Sequence, residues 1–267
     1  MADEVLQRLT DWKKSPVLRC INGLRAKWNI HKLNDEDWNV RYWAAKTLSA
    51  VSGARAVPYL IDVLKDKSEE VRGTAAWELG NIGDARAIPH LIFALKDSTY
   101  SVRSAAAMAL GEIGEPAVPA LIDALKDEDS EVRFRAADAL RNIAEKGADI
   151  NSTIPHLFFA LNDDARGVRV YATWALKGII NNYKSVEESD TVQKALENEY
   201  EEWKKKQPQG SSKEKSERQV EISEIMIFIS KRKAELARMD GELLLGDTVK
   251  KPEKGGKKIY RIGKATC

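Results

Sequence analysis

Five Asp–Arg pairs, three histidines and two cysteines are the residues whose types and spacing could do chemistry in this chain of 267 residues. Asp35, Asp66, Asp97, Asp127 and Asp163 stand six positions before Arg41, Arg72, Arg103, Arg133 and Arg169. Read as a site, the ladder would bind anions. Its return at every step favours architecture instead, with the Asp near a helix start acting as a cap. Cys20 and Cys267 lie at opposite ends of the chain, which is no disulfide framework and suits a reducing, cytoplasmic setting. His31, His90 and His156 are the only histidines. Gly-rich phosphate loops, Cys-x-x-Cys pairs and Ser-His-Asp spacing are absent, so no catalytic residue, metal or cofactor is expected.

The elements that must position these residues follow from a repeat. Val-Arg recurs at 40–41, 71–72, 102–103, 132–133 and 168–169, with a Leu seven positions after each Arg. Pro58, Pro89, Pro119 and Pro155 keep the same steps and open short apolar runs. Pro costs nothing in a first helical turn, where its missing N–H would be unpaired anyway. "GNIGD" and "GEIGEP" stop the preceding helix, since Gly accepts the left-handed cap. Two helices per unit result, each with an apolar stripe that only stacking can bury, which is the logic of a solenoid. His90 and His156 fall on equivalent helices two units apart. Packed helices stand about 8–10 Å apart, so these rings are roughly 20 Å apart and cannot share a metal whose bonds span about 2 Å.

The pattern Asp-(x)5-Arg-x-x-Ala-Ala-x-x-Leu-Gly-x-Ile-Gly, followed by Ala-x-Pro-x-Leu-Ile-x-x-Leu, resembles the short HEAT-like repeats of phycobilin lyases and their relatives over about residues 34–182. The last copy departs from it, with "EKGADINS" at 145–152 and Lys177-Gly178 in place of Leu-Gly. The resemblance implies an all-α, right-handed α-solenoid of about five helix pairs, in which the Asp–Arg pairs bond between neighbouring units. Around it, 1–33 reads as a degenerate helical cap, 183–206 as a polar capping helix and 207–217 as a linker. An amphipathic helix at 218–245 carries Ile222, Ile225, Ile229, Leu236, Met239 and Leu243 in a seam broken by Arg232. A basic tail at 246–267 closes the chain; seven Lys/Arg and two Asp/Glu give 247–267 a net charge of +5. The resemblance also brings two enzymatic alternatives. One is a phycobilin-lyase-like transfer of a bilin to cysteine, for which no residue here marks a site. The other is a deoxyhypusine-hydroxylase-like iron centre, which needs His-Glu pairs that this chain lacks.

One helix poses a question that chemistry of that kind does not answer. In "VRGTAAWELGNIGD" (71–84), Val71, Ala75, Leu79 and Ile82 cover one face and Trp77 falls opposite. The fifth position after each Arg reads Lys46, Trp77, Met108, Asp138 and Trp174, while Tyr42, Trp43, Phe134 and Tyr171 stand at the first or second. In HEAT-like solenoids the second helix of each unit lines the concave surface. Tyr42, Trp43, Trp77, Met108, Phe134, Asp138, Tyr171 and Trp174 are therefore expected to line a groove, with Gly73, Gly80 and Gly111 leaving room in it. The alternative is that the rings are wedged between units as packing. A protein or peptide is the expected occupant. Nucleic acid is disfavoured: Lys46, Arg135, Arg141 and Lys177 against Glu112 and Asp138 make only a modest basic surplus. No apolar run approaches membrane-spanning length, so no membrane partner is expected. On the other helix of the pair, exposed Phe93 and Phe159 either dock the 218–245 helix or a second copy of the chain or are ordinary surface residues, and the 218–245 helix itself is read as a self-association element or a second docking site.

Overall fold

The computed structural model describes residues 16–185 and 224–239, with single helical residues at 194, 198 and 201. The expectations for the start of the N-terminal cap, most of the 183–206 helix, the 207–217 linker and the basic tail lie outside the described residues.

Helix α1 (Pro16–Lys32) is followed by five long helices. These are α2 (Trp38–Ser52), α4 (Glu69–Ile82), α6 (Tyr100–Ile113), α8 (Ser130–Glu145) and α10 (Arg166–Asn181). Between them lie four seven-residue helices, α3 (Val57–Val63), α5 (Ile88–Ala94), α7 (Val118–Ala124) and α9 (Ile154–Ala160). The last described helix, α11, spans 224–239. No strand occurs among the described residues, and the fold is an all-α solenoid.

Local chemistry sets these boundaries. Pro58, Pro89, Pro119 and Pro155 each occupy the second residue of a short helix. Gly53, Gly83, Gly114 and Gly147 turn the chain after or near a long helix at φ 52°, 71°, 81° and 82°, a region costly for a side chain. Asp37, Ser68 and Asp129 cap α2, α4 and α8 through their side chains. Val71, Ala75 and Leu79 are fully buried, as are their counterparts in the other units apart from the half-buried Val40 of the first, and one continuous core runs the length of the stack.

The Asp–Arg ladder fastens unit to unit. Arg41 holds Asp66 (Nε–Oδ2 2.6 Å), Arg72 holds Asp97 (2.7 Å) and Arg133 holds Asp163 (2.7 Å). The partner is thus the Asp of the next unit. The Asp six residues upstream of the same Arg offers its backbone carbonyl to Nη1, at 2.8–2.9 Å in all five units. Each Asp side chain accepts the N–H two residues on rather than capping the helix itself. Burial pushes the Asp66 and Asp97 carboxyls up, but the guanidinium of Arg41 or Arg72 and the N–H of Ser68 or Thr99 outweigh it. Both carboxyls stay below the ordinary carboxylate value. One rung is rewired: Asp127 pairs with Lys96 (2.7 Å), which lowers its pKa, while Arg103 reaches Glu131 (3.4 Å).

Helix α11 docks on the end of α10. Its Ile225, Ile229 and Leu236 are buried in the common core. Arg232 donates from Nη2 to the carbonyls of Asn181 (3.0 Å) and Tyr183 (3.1 Å), where an α-helix ends with unsatisfied acceptors. Glu224 meets Lys177 at 3.2 Å. Three of the seam's residues are therefore used within the chain, while Met239 is exposed and Ile222 and Leu243 lie outside the described residues, and the Arg that breaks the seam is the cap of α10. Phe93 and Phe159 do not receive this helix, and both remain exposed.

Candidate partner-binding groove

Successive long helices pack closely along their lengths, whereas successive short helices barely touch. In a curved stack the more closely spaced layer is the inner one, so the long helices line the concave face. Their approach depends on missing side chains. A Cβ on Gly80 would lie 2.6 Å from the Ala109 Cα, one on Gly111 2.9 Å from the Asn142 Cβ, and one on Gly178 3.0 Å from the Ala144 Cβ. Gly80 and Gly111 therefore leave no room for a partner, contrary to the expectation from sequence. The next long helix fills them. Gly73 alone of the three expected openings has nothing within 4 Å of a built Cβ.

The fifth-position stripe faces solvent. Trp77 is 45% exposed, Met108 41% and Trp174 46%, and Trp43 on α2 reaches 59%. Between them Tyr42, Phe134 and Tyr171 are half-buried. Tyr42 meets Trp43 edge-on with ring centroids 5.3 Å apart. Phe134, Tyr171 and Trp174 form a chain of rings at 4.6 and 4.8 Å. The structure thus gathers the expected residues into two clusters, one at each end of the inner face, with Met108 between them.

Asp138, at the C-terminal cluster, is tied down by Arg141 (2.8 Å), which also holds Glu145 (2.7 Å) and lies 5.7 Å from the centroid of the Tyr171 ring. The expected basic surplus is spent in the same way. Arg135 is buried, bonds Glu131 (2.9 Å) and places its guanidinium over the Tyr100 and Phe134 rings at 4.5 and 4.8 Å. Lys177 holds Glu224. Among the described residues no group of three or more His, Cys, Asp or Glu could hold a metal ion.

The N-terminal cluster encloses an open cavity of about 550 Å³. Tyr42 and Lys46 of α2, Glu69, Glu70, Gly73, Thr74, Trp77 and Glu78 of α4, and Ser101 and Ala105 of α6 line it. The three glutamates were not anticipated from sequence. Glu78 had left a signal: it is the sixth residue after its Arg, a register position that reads Thr47, Ala109, Ala139 and Ala175 elsewhere. It is buried and accepts the Ser49 hydroxyl at 2.5 Å across the α2–α4 boundary.

Comparison with known proteins follows the same lines. A family profile for HEAT repeats matches residues 26–101 and 88–177. No curated protein matches the chain. Among solved structures, an engineered protein is 23% identical with a TM-score of 0.44, over 78% of this chain and 97% of its own. Human deoxyhypusine hydroxylase in complex with glycerol is 23% identical with a TM-score of 0.44, over 68% of this chain and 76% of its own. The CpcE–CpcF complex of phycocyanin lyase from Nostoc sp. PCC7120 is 24% identical with a TM-score of 0.42, over 56% of this chain and 96% of its own. With more than half its length matched by that profile, and with helix pairs stacked through a repeating Asp–Arg bond, the chain belongs to the HEAT-repeat family.

Proposed function

We propose that this chain is a non-catalytic scaffold or adaptor of the cytoplasm that grips an extended segment of a protein partner in its concave groove. One observation carries the reading. Four large side chains, Trp43, Trp77, Met108 and Trp174, stand in solvent on consecutive or near-consecutive inner helices, while the core beneath them is complete without them. Exposed apolar surface of this extent marks interaction sites, and Trp and Tyr anchor most binding energy where they are found at interfaces. A peptide fits better than nucleic acid because the groove's arginines are paired or buried, whereas phosphate binding needs cations free to replace counterions.

The test is panning of a random-peptide library on the full chain and on a Trp77→Ala/Trp174→Ala variant. Peptides selected by the wild type are expected to lose binding to the variant. Its stability should stay within about 1 kcal/mol of wild type, as for partly exposed side chains outside the core. Unfolding of the variant would make those rings core residues, and undiminished peptide binding would place recognition elsewhere. Either result ends the proposal.

A further inference from the structure

We infer that the cavity around Trp77 receives a cationic side chain, arginine above all, from the partner segment. The inference rests on the groove reading above and adds the chemistry of the occupant.

The lining is anionic and its own cations are engaged elsewhere. Glu69, Glu70 and Glu78 face one lysine, Lys46, whose ammonium stands over the Trp43 ring at 5.3 Å. Arg72, the nearest arginine in the same helix, is held by Asp97 at 2.7 Å in the next unit. Glu70 accepts the Ser68 hydroxyl (2.6 Å) and its own backbone N–H, and neither it nor Glu69 has an ion pair among the described residues, Arg72 acting on both only through space.

Glu78 is the more telling group. Its residue is only 7% exposed, yet it too makes no ion pair among the described residues, and the Ser49 hydroxyl is its one hydrogen-bond donor. Its carboxylate lines the open cavity, where an incoming cation would supply the counter-charge that no described residue gives it. The ring of Trp77 supplies the second half of the recognition, since a planar guanidinium both stacks on an indole face and donates in a fork to carboxylates. Gly73 keeps the entrance clear. An acidic segment would add like charge beside three carboxylates, and a purely apolar one would gain the Trp77 ring alone.

The decisive measurement is fluorescence anisotropy of a labelled Arg-Gly-Ser repeat peptide against the full chain, with Lys-Gly-Ser and Glu-Gly-Ser peptides in parallel. Saturable binding in the order Arg, Lys, Glu is expected, with affinity for the Arg peptide falling about tenfold in Glu69→Gln and in Glu78→Gln. Glu69 is exposed and its replacement leaves the fold intact. In Glu78→Gln the amide oxygen would still accept the Ser49 hydroxyl, and the circular dichroism melt of both variants serves as the control. Equal binding of the Arg and Glu peptides, no saturable binding of the Arg peptide, or retention of full affinity by both variants would overturn the inference. Should library-selected peptides still depend on Trp77 and Trp174 in that event, the groove reading would stand and only its cationic occupant would fall.

Discussion

At the scale of single residues, the ladder carboxylates decide how the protein responds to acid. Asp66, Asp97 and Asp127 titrate below the ordinary value of 3.8 because arginine, lysine and backbone N–H groups favour their charged form. An unfolded chain therefore binds these protons more readily than the folded one. The stability they confer is complete above the ordinary carboxylate range and declines as pH falls through 3.8 towards the lowered folded values. Urea midpoints should accordingly hold steady from neutral pH to about pH 5 and drop steeply below about pH 4. Asp97→Asn should cost about 2 kcal/mol at neutral pH and make that acid limb shallower; an unchanged limb would mean that Asp97 does not carry its share. The exposed pair of Asp84 and Arg86 offers a contrast. Its carboxyl is lowered to about 2 by the Arg86 guanidinium and N–H, and the ion pair itself stays within one turn, so that the link to the preceding unit is the neutral acceptor Ala54 O, which Arg86 reaches at 2.9 Å.

At the scale of the helix, periodicity told which residues face the core and left open how near the next helix comes. Val71, Ala75 and Leu79 were readable because burial repeats at helical spacing. Trp77 and Trp174 were readable because a large ring at a solvent-facing register position has no core to enter. Gly80 and Gly111 sit close to that arc, and nothing within one helix distinguishes an empty place from one filled by a neighbour. Arg135 was misjudged for a related reason: its cation is buried between rings of two different helices. The two kinds of glycine should behave oppositely. Gly80→Ala forces a methyl to within 2.6 Å of the Ala109 backbone and should destabilise by about 2 kcal/mol. Gly73→Ala meets nothing and should stabilise by about 0.5–1 kcal/mol through helix propensity. Chemical denaturation of the two variants measures both, and equal effects would contradict the spacing described for α4 and α6.

At the scale of the whole molecule, the order of units was legible while the docking of α11 was not. The repeat is written in the residues, but where α11 docks depends on contacts across some fifty residues, from Arg232 to Asn181 and Tyr183. Among the described residues after α10, it is α11 that covers the stacking face of the last unit, with Ile225, Ile229 and Leu236. Removal of 218–267 should therefore lower stability and bring on concentration-dependent association, read by sedimentation velocity; a monomer of undiminished stability would show that face to be finished without the helix.

That helix also constrains how such a protein can lengthen. A duplicated unit appended after α10 would find its place already taken, and the carbonyls it must stack beside already bonded to Arg232. New units can enter only by insertion between existing ones, where Asp66, Asp97 and Asp163 each meet the Arg of the preceding unit. The groove would then grow from its middle, carrying the Trp77 and Trp174 clusters apart without altering either.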